Sequence, residues 1–368
     1  MKKALLALAT SALTPSVLLA GGGIDRSGQG VNILFEDGDA VQFSIAYAMP
    51  QVSGDDNGVP TNKVSNNFSM PTLAYKKALT DQIDFALIYD RPFGANTTYR
   101  PGIPASTNPL DPTAINTQYA KASSDALTAL LRYKFDNGFS VYGGARAQRL
   151  EGRVSVPNAL GYRVESDDPV DFGYTVGVAW EKPEIAARVA LTYNSKIDHT
   201  FTQNETGTDP NTFTPFNVDT ESKVTTPQSV NLDFQTGVNP KTLVFGTIRW
   251  VDWPQFEWSP PNFPGGVLAD YDQSSWEYTV GVGRKITEDF AGAVTFVYEP
   301  KEGGIASPLG PTDGAWAIGV GGTYDLGDAQ VSGGVRYTKL GDANVADTGE
   351  FSGNYSWGVG FQITYALN

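Results

Sequence analysis

Three arginines stand where guanidinium chemistry could matter. Arg132, Arg146 and Arg188 each belong to the polar set of a segment that alternates apolar and polar residues, so each projects from the strand face opposite the apolar one. A guanidinium offers a planar fork of donors that fits a carboxylate, and recognition of an acidic headgroup is the chemistry these positions suggest. The competing use is internal pairing, with Asp233, Glu277 or the N-terminal acids Glu36, Asp37 and Asp39 as partners. Covalent and metal chemistry are poorly supplied. The single histidine, His199, has neither a cysteine nor a second histidine for a metal site, and no Gly-x-Ser-x-Gly elbow occurs. The run Asp55-Asp56-Asn57-Gly58 lacks the ligand spacing of a calcium loop. The expectation is a non-enzyme with no catalytic residue, no metal and no cofactor.

A second group of residues could bind by burying apolar surface. Leu160 and Tyr162, then Phe201, Phe213 and Phe216, then Phe256 and Trp258 fall in long connections rich in Pro, Asn, Asp and Thr. Connections in water do not usually carry so many large apolar groups unless these pack together or against a ligand. A loop cap with an apolar seam would satisfy both readings. Trp250, Trp253, Trp276, Trp316 and Trp357 read instead as membrane-interface belts.

The elements that must position these groups are strands. Val41, Phe43, Ile45, Tyr47 and Met49 alternate with Gln42, Ser44, Ala46 and Ala48, and the same period closes the chain in Tyr355, Trp357, Val359, Phe361, Ile363, Tyr365 and Leu367. Fourteen such segments lie near 40–50, 69–79, 83–92, 123–135, 138–151, 170–181, 185–197, 226–238, 241–252, 275–285, 289–298, 313–325, 328–338 and 354–368. Every second connection is a tight turn, such as Asp136-Asn137-Gly138 or Leu326-Gly327-Asp328, and the others are long. An even number of strands of this length, with short turns at one end and long loops at the other, predicts an all-β, antiparallel transmembrane barrel over 40–368. Gly281, Gly283, Ala291, Ala293, Gly319, Gly334, Gly358 and other small residues on the inward parity leave room on one side of the lumen. The N-terminal segment, a ligand channel or wall curvature could use that room.

Lys2 and Lys3, the apolar stretch to Leu19 and the small pair Ala20-Gly21 read as a signal peptide over 1–20. Residues 21–39 would then form a short plug, since Val31, Ile33, Leu34 and Phe35 are ill-suited to a free tail. The net charge of −14 argues against nucleic acid as a partner.

From Asp25-Arg26-Ser27-Gly28-Gln29-Gly30 through Leu34-Phe35-Glu36-Asp37-Gly38, and from Thr226-Pro227-Gln228-Ser229 to Arg249-Trp250-Val251-Asp252-Trp253-Pro254-Gln255-Phe256, the chain resembles the FadL-type long-chain fatty-acid transporters of Gram-negative outer membranes. The resemblance implies a monomeric barrel set in outer-membrane lipid and lipopolysaccharide and obstructed by an N-terminal hatch. Fatty acids or similar hydrophobic molecules would be caught at the loops, passed to an internal site and released after the hatch shifts, sideways or into the periplasm. The hatch here is short and lacks the Asn-Pro-Ala stretch of larger ones. A weakly selective porin, or a structural barrel, is the alternative.

Overall fold

The computed structural model describes residues 24–367 apart from 57–58, 100–117, 304, 308 and 346–348. The expected signal peptide, residues 1–20, lies outside the described residues. Fourteen strands form the wall: β1 Asp39–Gln51, β2 Phe68–Ala78, β3 Ile83–Asp90, β4 Gln118–Lys134, β5 Phe139–Val156, β6 Val170–Lys182 and β7 Ala187–Asn194. They continue with β8 Ser229–Asn239, β9 Thr242–Val251, β10 Ser275–Lys285, β11 Phe290–Glu299, β12 Ala315–Asp325, β13 Ala329–Leu340 and β14 Tyr355–Leu367. Each pairs antiparallel with its neighbour, and β1 closes on β14 with Asp39 opposite Leu367. Closure joins the first and last strands, so the ring of strands has no terminal edge of the kind a bilayer forbids.

Parity sorts the side chains as the alternation requires. Phe43, Ile45, Tyr47, Tyr174, Val176, Val178, Trp357, Val359 and Phe361 are exposed on the outside, whereas Ser44, Arg132, Arg146, Thr192, Asn231 and Arg336 are buried within. Trp250, Trp276, Trp316 and Trp357 form an outer aromatic band, with Trp250 and Trp276 at 6.5 Å and Trp357 stacked edge-on to Tyr337 at 5.2 Å. Trp253 departs from the expected belt. It follows β9 in a short 3₁₀ turn that carries it inward, and it is 1% exposed. Tight turns join the strands at the end where both Asp39 and Leu367 lie; Gly138 supplies the positive φ, 84°, that one of them needs.

Two departures from the expected strands shape the interior. Residues 198–225, expected as a loop, form a hairpin of strands Ile197–Thr208 and Pro215–Thr226 that stands above β7 and β8. Its exposed face is polar, with Asp198, Thr200 and Asn204, whereas its buried face mixes Ile197 and Phe201 with His199, Gln203 and Glu205. Strand β3 also stops early. Pro92 has no N–H to donate, and the chain resumes as strand Gly94–Tyr99, which pairs with β4 alone in the sheet. The ladder between β2 and β3 consequently runs only from Leu73 to Ala78.

Residues 24–38 rise through the lumen from the base of β1, with one 3₁₀ turn at Asn32–Phe35. Ile33, Leu34 and Phe35 pack against Ala74, Ala86, Ile88, Leu130, Tyr142 and Ala190. The small residues of the later strands lie elsewhere. Gly281 makes room for the Phe245 ring, which points inward from β9.

Candidate functional site

The mouth of the barrel is closed by an apolar cluster assembled from six parts of the chain. Ile24 of the inner segment, Phe93 beyond β3, Leu150 and Val154 of β5, Tyr162, Phe201, and Trp253, Phe256 and Trp258 after β9 are all buried in it. Phe93 meets Trp253 edge-on at 5.6 Å, and Phe201 meets Trp258 at 6.0 Å. Such pairs add to simple area burial. Polar fasteners hold the frame. Glu205, fully buried, accepts from the Tyr162 hydroxyl at 2.6 Å and the Asn262 backbone N–H at 3.0 Å, and Trp258 Nε1 donates to Gln203 at 3.0 Å. Burial and the bond to Glu205 hold the Tyr162 phenol far above its ordinary pKa. Four of the loop residues singled out in sequence, Tyr162, Phe201, Phe256 and Trp258, thus meet in one cluster, with Phe216 packed at its edge. Phe213 does not join them; it is 64% exposed at the hairpin tip. Leu160 sits half-buried in a turn at φ 56°.

The three inward arginines face the inner segment and the wall acids. Arg132 donates to the Leu34 carbonyl at 3.0 Å and to Ser140 at 3.0 Å, and it pairs with Glu181. Arg188 donates to Asn32 at 3.2 Å. Both guanidinium groups lie over the Phe35 ring, 4.5 and 4.4 Å from its centroid, so Phe35 is held between two cations. Arg146 is 3.5 Å from Asp90, and its Nε and Nη2 have no hydrogen-bond partner.

A fourth arginine carries more of the segment than these. Arg249 Nε and Nη2 bind both oxygens of Asp25, at 2.6 and 3.2 Å, while Nη1 donates to the Gly28 carbonyl at 3.1 Å. Gln29 accepts from Ser229 at 2.6 Å. Lower down, Lys76 Nζ donates to the Glu36 and Gly38 carbonyls at 2.9 and 2.8 Å and lies 3.4 Å from Asp84.

Where the ladder between β2 and β3 stops, the wall opens into a cavity of about 460 Å³, lined by Phe68, Ser69, Met70, Phe93, Gly94 and Ala95 among others. The inner segment reaches it directly. Arg26 N–H donates to the Pro92 carbonyl at 2.9 Å, Gly94 N–H donates to the Ile24 carbonyl at 2.8 Å, and the Arg26 guanidinium lies 3.9 Å above the Phe68 ring. Burial lowers the Arg26 pKa to about 10. Phe93 lines the gap and also belongs to the mouth cluster, which makes the two sites contiguous.

A family model described as outer membrane protein transport protein (OMPP1/FadL/TodX) matches residues 40–366. The chain belongs to this family. No curated protein matches it in sequence. Among solved structures, a Pseudomonas aeruginosa FadL homologue is similar at a TM-score of 0.75 with 16% identity, covering 98% of this chain and 97% of that one. The Pseudomonas putida toluene transporter TodX aligns at 0.66 with 12% identity over 98% and 96%, and the Ralstonia pickettii toluene transporter TbuX at 0.63 with 11% over 98% and 99%. These likenesses bear on the fold. The chain is therefore a FadL/TodX-type outer-membrane transporter of hydrophobic compounds with a fourteen-stranded antiparallel barrel.

Sequence reasoning overlooked several residues of this FadL/TodX-type barrel. Arg249 shares its parity with Thr247 and so was assignable to the lumen; its partner Asp25 opens the segment Asp25-Arg26-Ser27-Gly28. Trp253 gave no such signal, because it lies past the end of its strand and no parity applies.

Proposed function

We propose that the protein passes hydrophobic molecules into the outer membrane without energy input, capturing them at the mouth cluster and releasing them sideways through the gap between β2 and β3, with residues 24–38 as the plug. The observation that carries this reading is the continuity of apolar surface from Trp258 and Phe201 through Trp253 to Phe93 at the gap. A molecule moving along it keeps apolar neighbours as far as Phe93 and then enters a gap where Phe68, Met70 and Ala95 stand beside Arg26, Arg91, Lys121 and Glu151. An open porin is less favoured, because residues 24–38 lie inside the lumen and are tied to the wall at several heights.

Within that class, the arrangement favours uncharged hydrocarbons over long-chain fatty acids. Arg132 and Arg188 are engaged by Phe35, Leu34 and Asn32, which leaves Arg146 as the one of the three with unmade hydrogen bonds. The test is uptake of a matched pair, a fatty acid and its alcohol, by the parent and by Phe201→Ser and Arg146→Met variants. Phe201→Ser should slow both, since only apolar area is lost, at roughly 25 cal/mol per Å². Arg146→Met should leave the alcohol untouched. Selective loss of the acid in Arg146→Met would instead identify a carboxylate carrier, and undiminished uptake in Phe201→Ser would remove the capture site.

A further inference from the structure

The gap beside β2 is amphipathic, with its two characters on opposite sides. Its inner side is set by Phe68, Met70, Phe93 and Ala95, with the Arg26 guanidinium over Phe68. Its outer rim is set by residues on the lipid-facing parity of the wall: Ser69 of β2, Ser123 and Lys121 of β4, Arg153 of β5, and Arg91 just past β3. On that parity Tyr89 of β3 and Leu127 of β4 come first, and Arg91, Ser123 and Lys121 follow toward the loop end. The gap therefore opens where the wall leaves the hydrocarbon for the headgroup layer.

Arg26, Arg91, Lys121 and Arg153 line this cavity against one carboxylate, Glu151, which accepts from the Ser123 hydroxyl at 2.7 Å. Arg91 pairs with Asp125 at 3.0 Å and Arg153 with Glu165 at 3.1 Å, but the two arginine side chains are 40% and 53% exposed, where an ion pair contributes little and exchanges partners readily. Lys121 has no ion-pair partner among the described residues, and it stands directly opposite Arg153 in the ladder between β4 and β5. Like charges opposed across a ladder are destabilising, and an anion between them reverses the sign. The apolar inner side, left empty, forfeits packing contacts that an acyl chain entering from the bilayer supplies. We infer that the gap binds a membrane lipid with an anionic phosphate headgroup, the phosphate held by Lys121 and Arg153 and an acyl chain laid over Phe68, Met70 and Phe93. Guanidinium and ammonium donors both suit a phosphate. The site rests on the gap's own geometry and is independent of which solute leaves through it.

The chain contains no cysteine, so Asn67→Cys, at an exposed position on the rim, takes a single bimane label. The purified full chain is placed in phosphatidylcholine vesicles containing a small fraction of phosphatidic acid or of diacylglycerol, each with a nitroxide on one acyl chain. Quenching is compared with that of labelled Val320→Cys on the lipid-facing side of β12. The phosphatidic acid should quench the Asn67→Cys label about threefold more than the diacylglycerol does, with no such preference at Val320→Cys. Adding Lys121→Gln and Arg153→Gln should abolish the preference, and Lys121→Gln alone should reduce it if that combination fails to assemble. Equal quenching by the two lipids at Asn67→Cys, or a preference that survives loss of the cations, would overturn the inference. Inorganic phosphate at matched ionic strength should leave the quenching unchanged; relief by it would mean a site for free anions and would overturn the lipid assignment.

Discussion

Asp25 and Arg249 illustrate how single residues fix the interior. Their side chains are 1% and 3% exposed and bind through two nitrogens and two oxygens, a geometry in which removing one partner strands the other in a dry site. Arg249→Met should therefore destabilise the protein by about 3–5 kcal/mol, measured as a shift in its urea unfolding midpoint, and Asp25→Asn in the same chain should restore part of the loss. Equal stability of Arg249→Met and the parent would show that the pair does not hold the segment. Phe35 is different in kind. Two cations share its ring, so its contribution comes from packing and cation–π attraction together.

Among elements, the hairpin Ile197–Thr208 and Pro215–Thr226 was the hardest to read and has the clearest pH dependence. Its buried face alternates Ile197 and Phe201 with His199 and Gln203, so apolar residues do not recur at every second position and the period of two was invisible there, whereas the lipid-facing strands declared themselves through Phe43, Ile45 and Tyr47. The break after β3 was half legible, since Pro92 is visible in sequence but its effect on the β2 ladder depends on what pairs beyond it. The grouping of Tyr162, Phe201, Phe256 and Trp258 was likewise legible only as composition. His199 is fully buried, 3.1 Å from Asp171, near Gln148 and stacked on Phe201; burial lowers its pKa against the opposing pull of Asp171. A histidine whose folded pKa is depressed takes up protons more readily unfolded, so its neutral form stabilises the hairpin above the ordinary value of 6.5 and that stability is lost as pH falls below it. Proteolysis of the hairpin should be faster at pH 5.5 than at 7.5 in the parent and nearly flat in His199→Gln. A flat parent profile would contradict this.

At the scale of the whole molecule, closure of β1 on β14 and the pairing of opposite parities leave two interiors in one barrel. An apolar cluster runs from the mouth to the wall gap, and a second space, lined by Asp90, Asp233, Glu277 and Thr72 together with Ala46, Met70 and Ile88, lies beside the inner segment. A hydrophobic solute is pushed out of the second by the carboxylates and hydroxyls it would have to desolvate, so the first route ends at the wall and not at the base. The most direct test blocks that exit. Ser69 lines the gap, and the chain has no native thiol. Uptake of a hydrophobic tracer by cells carrying Ser69→Cys is measured before and after complete labelling with a bulky maleimide, with labelled Phe213→Cys as the control. Sideways release predicts that the labelled Ser69→Cys protein loses most of its uptake while the control keeps it; unchanged uptake in the fully labelled Ser69→Cys protein would contradict it.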